Sequence, residues 1–146
     1  MDKKRFFELI MDVCDWDKSG DDDAVLAPLI TFLSGLSVDE IFSFDDIMSG
    51  LLFDLDTKKN YKRACKYYDH SDDTFLYSRC CALINGEEFY EKVKAGKNNN
   101  IWTMEFEAIL SVPMLAWSKK YNKNCEEYPH LTEKSIETGS NSDSWK

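Results

Sequence analysis

Asp69-His70-Ser71-Asp72-Asp73-Thr74-Phe75-Leu76-Tyr77-Ser78-Arg79-Cys80-Cys81-Ala82-Leu83-Ile84 is the stretch whose reading decides the fold. It opens as a helix start. Ser71 or Asp72 offers an oxygen to a free backbone N–H, the role of an N-cap. Asp72 and Asp73 lie where the positive end of a helix dipole favours carboxylates. Phe75, Leu76, Cys80, Leu83 and Ile84 then recur at helical spacing, and Cys81 and Ala82 widen the apolar face. A helix with so broad an apolar face is predicted to be central. The stretch speaks to architecture and carries no recognisable catalytic set.

The same period extends to both sides. Phe6, Leu9, Ile10, Val13 and Trp16 predict a first helix over 3–16, closed by Asp17-Lys18-Ser19-Gly20. Asp21, Asp22 and Asp23 open a second, in which Pro28 predicts a kink or a later start. Ser37 and Glu40 fit a capping box ahead of a third helix carrying Ile41, Phe44, Ile47, Met48, Leu51, Leu52 and Leu55. A basic fourth helix is predicted from Lys58 to Tyr68, and a short sixth from Glu87 to Ala95. After the loop Gly96–Asn100, a seventh spans Trp102 to Tyr121, kinked or split by Pro113 near Val112. No strand-period alternation appears. The expectation is all-α: one domain, a bundle of about six or seven helices over 1–125. Residues 126–146, rich in Ser, Thr, Glu and Asn, read as a mobile polar tail.

The chain of 146 residues suffices for one core. Its net charge of -9 disfavours nucleic acid and anionic membrane surfaces and favours basic partners. Residues 1–56 hold fourteen Asp or Glu against four Lys or Arg, a local charge near -10. Lys58, Lys59, Lys62, Arg63 and Lys66 follow as a basic run. That run reads either as a solvated helix face or as a docking face for the acidic half or a second copy. Five cysteines, an odd number without Cys-x-x-Cys, fit a reducing compartment better than a disulfide framework. No signal peptide or membrane span is expected, so the reading is cytoplasmic.

Phe6; Leu36, Ser37, Glu40, Ile41 and Phe44; and Ser71, Asp72, Asp73, Phe75, Arg79, Leu83, Ile84 and Gly86 together resemble a bacterial helical family of unknown function. That family carries a Leu-Ser-x-x-Glu-Ile-x-x-Phe segment and a Ser-Asp-Asp-x-Phe centre followed by Arg and Leu-Ile. The likeness covers about residues 1–100. Phe7 stands where the family has Trp, Ser78 where an aromatic precedes the Arg, and Gly86 comes one residue early. The resemblance implies no activity. By type alone, a small, acidic, cysteine-containing chain is similar to the immunity proteins of bacterial toxin systems, contact-dependent growth inhibition among them.

Candidate chemistry is sparse. Asp15, Asp17, Ser19, Gly20, Asp21 and Asp23 fall at positions one, three, five, six, seven and nine of a calcium loop, but Leu26 stands at the twelfth, where a bidentate Glu belongs. A flexible acidic loop explains the same residues, and no metal or cofactor is expected. No Cys/His spacing suits zinc, and His70 reads as a loop residue. Asp72, Asp73 and Arg79 read as a helix cap and an ion-pair anchor, or alternatively as the centre of a small enzyme. The leading expectation is a non-enzymatic immunity protein that occludes a cognate basic toxin. Asp39, Asp45, Asp46, Asp54 and Asp56, on and beyond the polar side of the third helix, would meet the toxin's Lys and Arg. A regulatory or scaffold domain that homodimerises through Lys58–Lys66 and the acidic face is the remaining alternative.

Overall fold

The structure, a computed structural model, describes all 146 residues and contains no strand. Seven α-helices follow in order: α1 (Lys3–Val13), α2 (Asp22–Ser34), α3 (Val38–Leu55), α4 (Lys58–Ala64), α5 (Asp72–Ile84), α6 (Glu87–Lys94) and α7 (Val112–Tyr121). Short 3-10 turns lie between and after them. The helix starts are set by side-chain caps. Asp2, Asp21, Ser37, Thr57 and Ser71 each accept the backbone N–H three residues on, satisfying donors that the helix itself leaves free. At Ser71 the capping box closes with the Thr74 hydroxyl, which accepts from the Ser71 N–H. At Ser37 the expected partner Glu40 turns instead toward the N-terminal ammonium, 3.7 Å away.

α5 is central, as its pattern predicts. Nine of its thirteen residues are buried, including Ser78 and Arg79. It contacts α1, α3 and α6 as well as the turns at 100–103 and 107–111. α2 lies along α7, and α3 bridges α7 and α5. One continuous cluster of 32 buried apolar residues runs through all seven helices, so there is one core. Phe6 and Phe44 meet at 4.6 Å, and Phe75 stacks on Trp102 at 5.7 Å. No helix is long and apolar enough to cross a membrane.

Three expectations are corrected. Of the two readings of Pro28, a kink or a later start, the later start is excluded: α2 runs through it as one α-helix. The basic α4 stops at Ala64, four residues early. Residues 102–121 do not form one split helix: α-helix begins only at Val112, with Pro113 in its first turn, where a missing N–H costs nothing. The preceding segment is instead pinned to α5. His70 Nε2 donates to the Trp102 carbonyl at 2.8 Å, Ser78 donates to the Met104 carbonyl at 2.6 Å, and the Phe106 N–H donates to the Tyr77 carbonyl at 3.1 Å. His70 lies in the loop before α5, as expected, but it is buried there and acts as a brace.

The polar C-terminal residues 126–146 do not hang free as their composition predicts. They form a strap across α3, α4 and α5. Tyr128 donates to Asp45 at 2.9 Å, and His130 bonds Asp46 at 2.8 Å while stacking on Phe42. Farther on, the strap closes over Asp56 and Arg79.

Candidate functional site

The acids of α3 and its exit are mostly engaged within the chain. Asp56 is fully buried. Its side chain accepts the backbone N–H of Gly139 at 3.0 Å and of Asn141 at 3.1 Å, and the Trp145 indole N–H at 2.9 Å. Asp45 is nearly buried against Tyr128. Burial pushes its carboxyl above the usual range, and the Tyr128 hydrogen bond only partly offsets this. Asp46 holds His130. Asp54 stays exposed at 4.0 Å from Lys94, and Asp39 is exposed in the first turn of α3. The five acids proposed from sequence therefore do not form one open face.

The residues shared with the helical family are likewise divided. Ser71 is the cap and Phe75 is core. Asp72 and Asp73 are exposed on the first turn of α5. Arg79, two turns on, has no exposed surface. Its guanidinium lies 4.8 Å from the Phe75 ring and donates to the Leu52 carbonyl at 2.9 Å, and to the Ile136 carbonyl and the Thr138 hydroxyl at 3.1 Å each. Its Nε is buried with no acceptor. No carboxylate lies in ion-pair range, so Arg79 is held by neutral oxygens and not by the ion pair expected. Asp72, Asp73 and Arg79 do not make one accessible site.

A second group of acids stands open. Gly20, Asp21, Asp22, Asp23, Glu105, Glu107, Ala108 and Ser111 line a groove of about 630 Å³ between the start of α2 and the segment leading to α7. None of its five carboxylates is within ion-pair distance of a Lys, Arg or His. Asp22 is raised above the usual carboxylate range, first by partial burial and then by Asp23 and Asp21. Cys81, beneath them, is pushed up to about 12 by burial, with Asp22 and Glu105 adding to the effect. The groove shares Asp23, Ala108 and Ser111 with an apolar one of about 300 Å³ lined by Leu26, Ala27, Ile30 and Leu115. The outer side of α2 continues the apolar surface through Ala24, Pro28 and Phe32. In the sequence, Asp21–Asp23 read as helix-opening residues, and Asp21 and Asp23 also as part of the calcium-loop candidate. Glu105 and Glu107 join them through the bonds that pin the 100–106 segment to α5.

The calcium-loop candidate resolves into local capping. Asp15 accepts the Asp17 N–H at 3.2 Å, and Asp21 accepts the Ala24 N–H at 3.1 Å. No three His, Cys, Asp or Glu side chains converge as a metal site would require. All five cysteines are free thiols. Burial raises Cys14 to about 11 and raises Cys80 as well, so these thiols are poor nucleophiles and act as small apolar groups. The basic run is solvated: Lys58, Lys59 and Lys62 on α4 and Lys66 just beyond it are exposed.

Residues 1–135 match a protein-family model described as a protein of unknown function, DUF4240. No curated protein and no solved structure matches the chain.

Proposed function

The chain belongs to the DUF4240 family, and from that premise we propose that it is an acidic binding protein, most concretely an immunity protein that neutralises a basic bacterial toxin by occlusion. The observation that carries this reading is the open groove of Asp21, Asp22, Asp23, Glu105 and Glu107, five carboxylates without a cation. Asp22 is raised first by partial burial and then by repulsion from Asp23 and Asp21. A partner that brings Lys or Arg relieves that repulsion and is steered toward the groove. A nuclease toxin places such residues where it holds phosphate. The neighbouring strip of Leu26, Ala27, Ile30 and Leu115 supplies the apolar contact that charge alone does not, since affinity concentrates in a few desolvated anchors. Asp39 and Asp54 remain exposed on other surfaces and are outside this contact. The free thiols agree with action in a reducing compartment, the cytosol.

The test is co-purification from the native host in moderate salt, with mass spectrometry of what remains bound. The expected result is a stoichiometric basic protein that is lost when Asp22 and Glu105 are both changed to Lys. Recovery of the chain alone, or a partner indifferent to the double charge reversal, overturns the reading.

A further inference from the structure

α2 carries an unusual surface for a helix open to water on one side. It buries Val25, Leu26, Leu29 and Leu33 in the core, yet Ala27, Thr31 and Phe32 are exposed. From Ala24 to Ser34 it holds no charged residue, in a chain that is 31% charged. A helix that is uncharged and largely apolar all round is normally covered on every side, and a half-covered one has room for a partner. α7 continues the surface beside it, where Leu115 is 38 % exposed. Between the two helices runs the apolar groove of about 300 Å³. Ala27 lines both this groove and the one on the other flank of α2. Its methyl group leaves a low saddle where a longer side chain would stand as a ridge.

Building on the reading proposed above, in which the acidic groove meets a partner's cations, we infer that the apolar groove docks an amphipathic helix of that partner, with apolar residues at helical spacing and Lys or Arg in its last turn. Charge complementarity sets both the occupant and its direction. α2 and α7 both start at the acidic groove, and Asp23, Ala108 and Ser111 line that groove and the apolar one alike. Lys119 and Lys120 stand exposed in the last turn of α7, at its other end. The surface therefore runs from carboxylates through apolar side chains to lysines. A helix laid antiparallel to α2 brings its last turn to the carboxylates. Cations suit a last turn because they complement the helix's own dipole, and carboxylates suit a first turn, which would face the lysines. α2 spans 13 residues, or about 20 Å, so about four turns of a partner helix fit along it. A second copy of this chain is a poor occupant, since it brings a net charge of -9 to a surface that is already acidic at one end.

The test is fluorescence anisotropy with two labelled helical peptides of about 14 residues and identical composition. Both carry Leu at the same helical spacing. One has Glu in its first turn and Lys in its last, and the other has the two exchanged. The full chain is expected to bind the first about ten-fold tighter than the second. Ala27→Gln fills the saddle without changing charge and should weaken the first peptide about ten-fold. Asp22→Lys together with Glu105→Lys should reverse the preference. Equal binding of the two peptides overturns the proposal, and so does binding that Ala27→Gln leaves unchanged or no binding by the folded chain. Failure here is distinct from failure of the broader reading. A basic partner recovered from the host, lost on the double charge reversal but indifferent to Ala27→Gln, keeps the acidic groove as the contact and removes the docked helix.

Discussion

The polar side of α3 with its exit and the start of α2 are both acidic, and the fold treats them in opposite ways. At α3, Asp45, Asp46 and Asp56 are each met by a group 83 to 89 residues farther along the chain. At α2, Asp21–Asp23 are joined by two more carboxylates and by no cation. Both runs raise the same signal in a charge profile. What separates them is whether a distant donor arrives. A carboxylate held by a distant donor is part of the framework; Asp21 meets only the local Ala24 N–H, and it and its neighbours are open to a partner's cation.

The largest effect that can break this comparison is at Asp56. Asp56→Ala strands two half-buried backbone N–H donors, those of Gly139 and Asn141, and leaves the Trp145 N–H with the Asp56 carbonyl alone. Stranded donors cost about 1–3 kcal/mol each in the fully buried limit, and some will find water once the strap lifts, so a net loss of about 3 kcal/mol is expected. For a chain of this size that lowers Tm by about 6–12 °C. Asp23→Ala, in the open groove, should fall within about 0.5 kcal/mol of the unaltered chain. Calorimetry on the pair decides. Equal losses would mean that the groove, too, is framework.

Next in size is Ser71→Ala, which removes the cap of α5 and should cost about 1 kcal/mol. It calibrates the first pair, because its cause is local and was visible in the sequence. Asp72→Ala, one residue on, leaves the cap oxygen in place and should cost less.

Asp45→Asn sharpens the comparison from inside the engaged set. Burial raises the Asp45 carboxyl in the folded state. A raised folded pKa gives stability that is full below the unfolded value and is lost as pH rises through the folded one. At neutral pH the ionised group is therefore a net cost. Asn keeps an acceptor for Tyr128 without the charge. A gain of about 2–3 °C in Tm at neutral pH is expected, corresponding to about 1 kcal/mol or less. The gain should fade as pH drops through the carboxylate range. A gain that persists in acid would place its origin in packing instead.

The sequence made the fold legible where contacts are local and repeated. The periods of α1, α3 and α5 and the caps at Asp21, Ser37 and Ser71 depend on neighbours within about a turn. Residues 100–111 were misread because Ser78 and His70 hold them by single long-range bonds that leave no periodic trace. The strap was misread for the same reason. Its anchors are one buried Asp, one buried Arg and scattered polar atoms, embedded in a composition that otherwise describes a free tail. The available signal was Trp145, a lone large aromatic in a polar run, of the kind that needs a place to bury. The open groove was half legible: Asp21–Asp23 are contiguous, but Glu105 and Glu107 reach them only through the fold.

The smallest effect bears most directly on partner binding. Asp22 is raised by partial burial and by its acidic neighbours while the groove is empty. A bound Lys or Arg favours the ionised form, so binding lowers that pKa and releases a proton. Affinity should then be flat near neutral pH and fall as pH drops through the raised value of the free groove. Asp22→Asn should flatten that fall while costing about 1 kcal/mol or less at neutral pH, because the site is open to water and salt screens it. Titration calorimetry with the recovered partner, in two buffers of different ionisation enthalpy, reads the proton directly. The proton should vanish in the Asn variant. If it is unchanged there, the linked group lies outside Asp22 and the open groove is not the contact.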